Sequence, residues 1–440
     1  MLDIEVFEGG FKETELGPLP EEWEVVGLGE VAEISSGGSA PQGKEYFGGK
    51  NPFIRVQHLD NDNYTIKGCD YITDEAVRKY KLKLFPKGTI IFPKSGASIY
   101  SEKRAKLPFD AYIVSHLMAV ISRSPLLLQD YLFFNLISKK LSKNKADNYP
   151  TLNISEVSQI PLPLPPLEEQ KAIAGILSTV QSAIEKTEKV INALKNLKKS
   201  MMKHLFTYGP VAEEEAEKVE LKETEIGLIP EHWEVVRLGE VADVDRGLSW
   251  RKFEEVSNDK GHLIISIPNI KDGYIDFNSK YNRYIIKHIP ISKQIRLNDI
   301  LFVGSSGSIE NVGRSVFIES LPIEGIGFAS FVFRARVKNN AVIPKFLYFM
   351  ANSHWFNYKD YVRRSSDGKY NLQLTEFKSM KIPLPPLEEQ QKIAQILQSI
   401  DQRIEKEEKY KNALQNLFKS LLHNLMTGKI RVRVKDHGED

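Results

Sequence analysis

The chain has 440 residues, 41% of them apolar, with 60 basic and 58 acidic side chains. That length exceeds one small core and points to two to four domains, with enough apolar material to build them. No uninterrupted apolar stretch of about 18 residues occurs, the start MLDIEVFEGGFKETE is acidic, and Cys69 is the lone cysteine; a membrane span, a secretory leader, a disulfide and a multi-cysteine zinc site fall away, and the expectation is a soluble, cytoplasmic protein.

In chain order, the acidic segment FKETELGPLPEEWEVVGLGEVAEI (11–34) comes first. Residues 1–43 hold 1 basic and 10 acidic side chains, whereas 44–145 hold 18 and 9. Strands are expected over 52–59 (PFIRVQHL), 89–95 (TIIFPKS) and 116–123 (HLMAVISR), all rich in β-branched and aromatic residues and bounded by turn formers. A helix is expected over 126–141 (LLLQDYLFFNLISKKL). The stretch LPLPPLEEQ (162–170) then opens a long amphipathic run. Its prolines suit a first helical turn, and Glu168 and Glu169 face the positive end of the helix dipole. Beyond it, Ile173, Leu177, Val180, Ile184, Ile191, Leu194, Met201 and Leu205 follow a heptad alternation broken at Thr187 and Lys198.

The order then repeats. LKETEIGLIPEHWEVVRLGEVADV (221–244) matches 11–34, and residues 207–244 hold 3 basic against 11 acidic side chains, while 245–381 hold 21 against 13. Strands are expected at 263–270, 299–306 and 328–337, and a helix at 344–362. IPLPPLEEQ (382–390) launches the second heptad run, Ile393, Leu397, Ile400, Ile404, Leu414, Phe418, Leu421 and Leu425, interrupted at Glu407 and Lys411; Glu388 and Glu389 repeat the acidic first turn. A period above 200 residues is too long for a solenoid and marks a duplicated module of globular block plus helix. The predicted fold class is α+β. Two similar globular blocks are separated by two long helices that form an antiparallel coiled coil, with a pseudo-two-fold internal repeat. Each helix would be on the order of 60 Å long at 1.5 Å per residue. The expected division is 1–160 for the first domain, 161–208 for its helix, 209–380 for the second domain with its acidic linker, 381–428 for the second helix, and 429–440 for a charged tail.

Two basic blocks in register, each behind an acidic collar, favour a polyanion as ligand over chance charge on solvated surfaces. Arg and Lys read guanine, and Asn or Gln read adenine. The DNA-contact candidates are therefore the basic and amide residues near Gly-rich loops. In PKSGASIYSEKRAK (93–106) they are Lys94, Ser95, Lys103, Arg104 and Lys106, followed by Lys143, Lys145 and Asn148. In GSSGSIENVGR (304–314) they are Ser305, Ser306, Asn311 and Arg314, and in YVRRSSDGKYN (361–371) Arg363, Arg364, Lys369 and Asn371. About half should touch DNA, mostly at phosphates.

The paired PLPPLEEQ stretches with their heptad helices, the twice-used GPLPEEWEVVGLGEVA (17–32) and GLIPEHWEVVRLGEVA (227–242), and the SGASI and SSGSI loops resemble the specificity subunit of type I restriction–modification enzymes over nearly the whole chain. The resemblance implies two target-recognition domains reading the halves of an asymmetric bipartite DNA site. It also implies helices that set the spacing and dock two DNA adenine methyltransferase subunits, with restriction (translocase) subunits joining. S-adenosylmethionine, ATP and Mg would reside on those partners, and no cofactor or metal on this chain. Segments 35–85 and 245–295 are hardly alignable, which predicts two different half-sites.

Chemistry within the chain finds little footing. GSAPQGKE (38–45) is spaced like a phosphate loop, but Glu45 stands where a hydroxyl would hold magnesium, and DVDRGLSWRK in the second repeat lacks the pattern. NPFI (51–54) lacks the second proline of amino-methyltransferase motifs. His116, His204, His232, His262 and His423 show no metal-ligand spacing, and no GxSxG elbow occurs. No catalytic residue is expected. Two other readings stay open: a coiled-coil scaffold without specific DNA reading, and a DNA-modifying enzyme complete in one chain.

Overall fold

The computed structural model describes residues 10–60, 64–142, 150–257, 260–338 and 340–432. The chain forms two compact units, Met1–Val190 with Glu407–Asp440, and Ile191–Lys406.

In the first unit, the hairpin Phe11–Thr14/Gly17–Pro20 leads to the buried Trp23 and the strand Glu24–Gly27. That strand pairs antiparallel with Pro161–Leu164, the beginning of the proline stretch. Two motifs remote in sequence are thus the two halves of one ribbon, and a two-stranded ribbon tolerates prolines because it has outer edges on both sides. Beyond it lies a four-stranded antiparallel sheet in the order Ala32–Ser36, Leu117–Ser122, Ile90–Pro93, Ala105–Lys106. A second sheet runs Asp70–Ile72, Phe47–Ile54, Ala111–Ile113, Leu84–Phe85, its middle pair parallel.

Successive strand residues point to opposite faces, and both faces here are buried. Ile90, Phe92, Met118 and Val120 pack with Tyr131, Phe133 and Phe134 around the helix Gln129–Ser138. Ile91, Leu117 and Ala119 pack with Phe53, Ile54 and Phe85 of the second sheet. The first core is completed by Ile173, Leu177 and Ile184 from the start of the long helix Leu167–Tyr208, together with Phe418, Leu422 and Leu425 from the end of the long helix Leu387–Met426.

The second unit repeats this plan. Glu234–Arg237 pairs with Lys381–Leu384. The main sheet runs Ala242–Arg246, Val332–Val337, Ile300–Val303, Ser315–Phe317, and the second sheet Glu255–Val256, Arg283–Ile285, His262–Ile265, Gly327–Phe328. Ile300, Phe302, Phe333 and Ala335 face Trp233, Phe346 and Phe377, whereas Leu301, Val303 and Val332 face Leu263, Ile265 and Phe328. Here Leu205 and Phe206 from the end of the first long helix meet Ile393 and Leu397 from the start of the second. In both units a helix start packs beside a helix end, so the long helices are antiparallel, and the α+β class with two long packed helices holds.

All sixteen heptad positions read from the sequence are buried or half-buried. The breaks are accommodated locally. Thr187 donates back to the Ala183 carbonyl at 2.8 Å, Lys198 meets Asp401 at 2.6 Å, and Lys411 approaches Glu188 at 3.9 Å. Each helix stops at a glycine with positive φ, Gly209 at +84° and Gly428 at +65°, where a Cβ would be strained.

The expected helix over 344–362 is corrected: it ends at Ala351. The Asn352 amide donates to the Tyr348 carbonyl and to Ser315 Oγ, competing with the next helical turn, and a separate 3-10 turn forms at Tyr358–Tyr361. The first expected strand likewise gives way after Ile54 to a 3-10 turn at Val56–His58.

The LEEQ residues do more than complement a dipole. Trp23 Nε1 donates to Glu169 Oε2 at 3.0 Å, and Trp233 Nε1 to Glu389 Oε2 at 2.9 Å. The Gln170 amide donates to the carbonyls of Leu126 and Pro165, both at 2.8 Å, and accepts from Leu128 N; Gln390 does the same with Ala341, Pro385 and Ile343. Each glutamine is fully buried, so these bonds satisfy it while fastening the loop ahead of the helix at 129 or 344. Glu168 and Glu388 are exposed, which leaves them the dipole role alone.

Candidate nucleic-acid interface

The Gly-rich loops expected to touch DNA follow the interior strands Ile90–Pro93 and Ile300–Val303 of the main sheets on matching backbone scaffolds. In the first unit Lys94 N donates to the His116 carbonyl at 2.9 Å, Leu152 N donates to the Lys94 carbonyl at 2.7 Å, and Ser95 bridges Thr151. In the second, Gly304 N donates to the Phe331 carbonyl and Leu372 N to the Gly304 carbonyl, both at 2.8 Å, and Ser305 pairs with Asn371. There the contact grows into a three-stranded sheet, Ser305–Ser306, Tyr370–Leu372, Val362–Arg364.

That sheet gathers most of the second unit's candidates. Asn371 lies opposite both Ser305 and Arg363, and Tyr370 opposite Ser306 and Arg364. Arg363 and Arg364 are exposed. Arg363 bonds Glu376 at 3.2 Å and the Asp360 carbonyl at 2.9 Å, whereas Arg364 rests over the Tyr370 ring at 5.8 Å with no ion pair among the described residues. Lys369 sits 3.0 Å from Asp367, whose carboxyl the Ser365 hydroxyl and the Lys369 ammonium hold down to about 2. That carboxylate offsets the charge of Lys369. Asn371 donates to Ser365 Oγ at 2.9 Å, and Ser306 Oγ accepts from Ser308 N. Asn311 ends the 3-10 turn Ile309–Asn311, and Arg314 follows with its Nε buried and without a partner among the described residues.

In the first unit the candidate cations are largely engaged inside the fold. Lys94 donates to Ser36 at 2.9 Å, Lys103 to the Leu59 carbonyl at 2.9 Å, and Lys106 to Asp130 at 2.6 Å while lying over the Phe133 ring. Arg104 is buried, and Nη2 reaches both Glu102 and the Lys139 carbonyl at 2.7 Å. Burial pulls the guanidinium below its usual range, opposed by Glu102; burial also works against the Glu102 charge, but bonds from Ser142 and Arg104 outweigh it and lower that carboxyl. Ser95 Oγ lies 2.6 Å from His116 Nδ1 on the exposed side of the loop. Lys143, Lys145 and Asn148 lie outside the described residues.

Sequence reasoning passed over His116 and Phe331 as residues of the loop scaffold and Thr151 as the counterpart of Asn371. The usable signal was the alignment of PTLNISEV (150–157) with YNLQLTEF (370–377), offset by 220 like the proline motifs. The GSAPQGKE segment ends in the three-residue 3-10 turn Lys44–Tyr46 rather than the helix N-terminus that a phosphate loop feeds. Among the described residues no group of three or more His, Cys, Asp or Glu could hold a metal ion, and no helix is long and apolar enough to cross a membrane.

The comparisons with known proteins match this two-part organisation. The profile of the type I restriction modification DNA specificity domain matches residues 20–196 and again 230–416, once per repeat. The specificity subunit of the type I restriction enzyme MjaVIII from Methanocaldococcus jannaschii is 30% identical over 445 residues, which cover 97% of each chain. That of EcoKI from Escherichia coli K12 is 22% identical over 96% of this chain and 92% of its own. The crystal structure of a type I restriction–modification S subunit from M. genitalium shares the fold with a TM-score of 0.59 at 16% identity, covering 92% of this chain and 96% of that one. A chain from a structure of a type I restriction–modification system addressing complex assembly shares it at 0.54 and 19% identity, covering 94% and 99%. The chain belongs to the family of specificity subunits, the non-catalytic components of type I restriction–modification enzymes.

Proposed function

We propose that this chain is the DNA-recognition component of a type I restriction–modification complex, with each unit reading one half of an asymmetric bipartite duplex site. The observation that carries this reading is the duplicated loop scaffold. Lys94–Ser95 and Gly304–Ser305 are held by matching backbone bonds while the side chains around them differ, as two readers of different half-sites require. The long helices set the spacing between the half-sites and dock two adenine methyltransferase subunits, with restriction subunits completing the complex. S-adenosylmethionine, ATP and Mg belong to those partners. The DNA-contact set is led by Arg363, Arg364, Asn371, Ser305, Ser306, Asn311 and Arg314 in the second unit and by Ser95 with the lysines of its loop in the first. Lys143, Lys145 and Asn148 remain candidates. Arg104, whose head group is committed inside the fold, supports the loop from beneath.

The test is salt-dependent binding of the full chain to duplex DNA. Several phosphate contacts make log affinity fall linearly with log salt, and each contact removed lowers the slope by about 0.9. Replacing Arg363 and Arg364 by Ala should flatten the slope by up to about two such steps. A wild-type chain without a salt slope would favour the coiled-coil scaffold, which needs no polyanion; methyl transfer by the chain alone with S-adenosylmethionine would revive the single-chain enzyme.

A further inference from the structure

The two loop scaffolds differ sharply at one matched position. His116 and Phe331 each precede the central strand of their main sheet, at Leu117–Ser122 and Val332–Val337, and each offers its carbonyl to the first residue of the Gly-rich loop. The backbone is therefore the same, and the side chain is what distinguishes the units. In the first unit the imidazole bonds Ser95 Oγ at 2.6 Å, giving a polar pair at the loop. In the second Phe331 is 52% exposed although it lies within the tied turn in which Ser330 N donates to the Leu248 carbonyl and Val332 N to the Ala329 carbonyl, both at 2.8 Å.

A phenyl ring held out on a fixed turn can neither donate nor accept a conventional hydrogen bond to a base edge. The apolar feature that the major groove offers is the thymine C5-methyl group. We propose that Phe331 is a specificity-determining residue of the second unit, packing against a thymine methyl in its half-site, and that His116 with Ser95 fills the same place in the first unit with hydrogen-bonding groups that read a polar base edge. This rests on the DNA-reading function proposed above. Guanidinium and amide groups of Arg363, Arg364 and Asn371 flank the same loop and supply the polar share of the contact. Because the ring is half exposed, its removal leaves the core intact.

The experiment is selection of randomised duplexes by the full chain, wild type against Phe331→Ala and His116→Ala, followed by affinity measurements on the selected site with deoxyuridine replacing each thymine in turn. Wild type should lose about four-fold in affinity at one uracil position, the worth of a buried methyl. Phe331→Ala should lose its preference for thymine at that base pair alone and be indifferent to the uracil. His116→Ala should alter a position in the other half-site. If Phe331→Ala selects the wild-type sequence at every position, or binds uniformly more weakly, the role assigned to Phe331 is overturned while DNA reading stands. If the wild-type chain selects no sequence, DNA reading itself fails and takes this role with it.

Discussion

Arg104 shows how a single residue can mislead. It lies in SEKRAK, a run that reads as a basic surface loop, yet its side chain is 2% exposed and bonded to Glu102 and the Lys139 carbonyl. Glu102 in turn accepts from the backbone of Leu141 and Ser142, so one ion pair fastens the loop to the end of the helix Gln129–Ser138. Arg104→Ala leaves that carboxylate without its cation and the Lys139 carbonyl without its donor, and should cost roughly 2–3 kcal/mol of stability, the scale of hydrogen bonds to charged groups. Denaturant unfolding checks the loss. The salt slope of DNA binding should stay unchanged, which separates this residue from the exposed Arg363 and Arg364. Charge type is visible in a sequence, whereas the partner that consumes it is not.

At the scale of elements, the LEEQ knots were half legible. Proline spacing and heptad periodicity are local, so the helix starts and their apolar seams could be read directly. The partner of Glu169 is Trp23, 146 residues away, and no local pattern announces that bond. The three-stranded sheet at the second loop was hidden for a related reason: its strands are two or three residues long, too short to show an alternation. The over-long helix at 344–362 arose because aromatic density continues past Ala351 to fill the core, with Phe356 and Tyr358 packed there outside the helix. The two knots also differ in the side chain set against the glutamate. Glu169 pairs with Arg431, both 6% exposed, whereas Glu389 pairs with His232, which is 52% exposed. Glu169→Gln leaves the buried Arg431 guanidinium with Glu22 as its carboxylate partner, 2.9 Å from Nη2, and should cost up to about 3 kcal/mol, the low end for breaking a buried pair. Glu389→Gln leaves a half-solvated imidazole and should cost only about 1 kcal/mol. Unfolding both variants in parallel compares the two directly, and equal losses would mean that the partner of the glutamate is irrelevant to the knot.

For the whole molecule, the duplication, the α+β class and the two basic blocks were open to reading because each leaves a signal repeated in the sequence. The way the repeats interlock was less visible. Each compact unit takes the start of one long helix and the end of the other, so its core is finished by residues from both repeats. Neither repeat carries a complete core of its own, and an antiparallel helix pair is the simplest device by which two copies of one module complete each other. In the proposed function, side-chain divergence on matching loop scaffolds is what would let one architecture read two sequences. The most direct measurement is the map of methylated adenines in DNA from cells expressing this chain with its methyltransferase partner, compared with a hybrid in which residues 35–161 replace 245–381. A bipartite asymmetric motif that becomes symmetric in the hybrid, with both halves equal to the first, is the predicted result. An unchanged motif in the hybrid would contradict the assignment of one half-site to each unit.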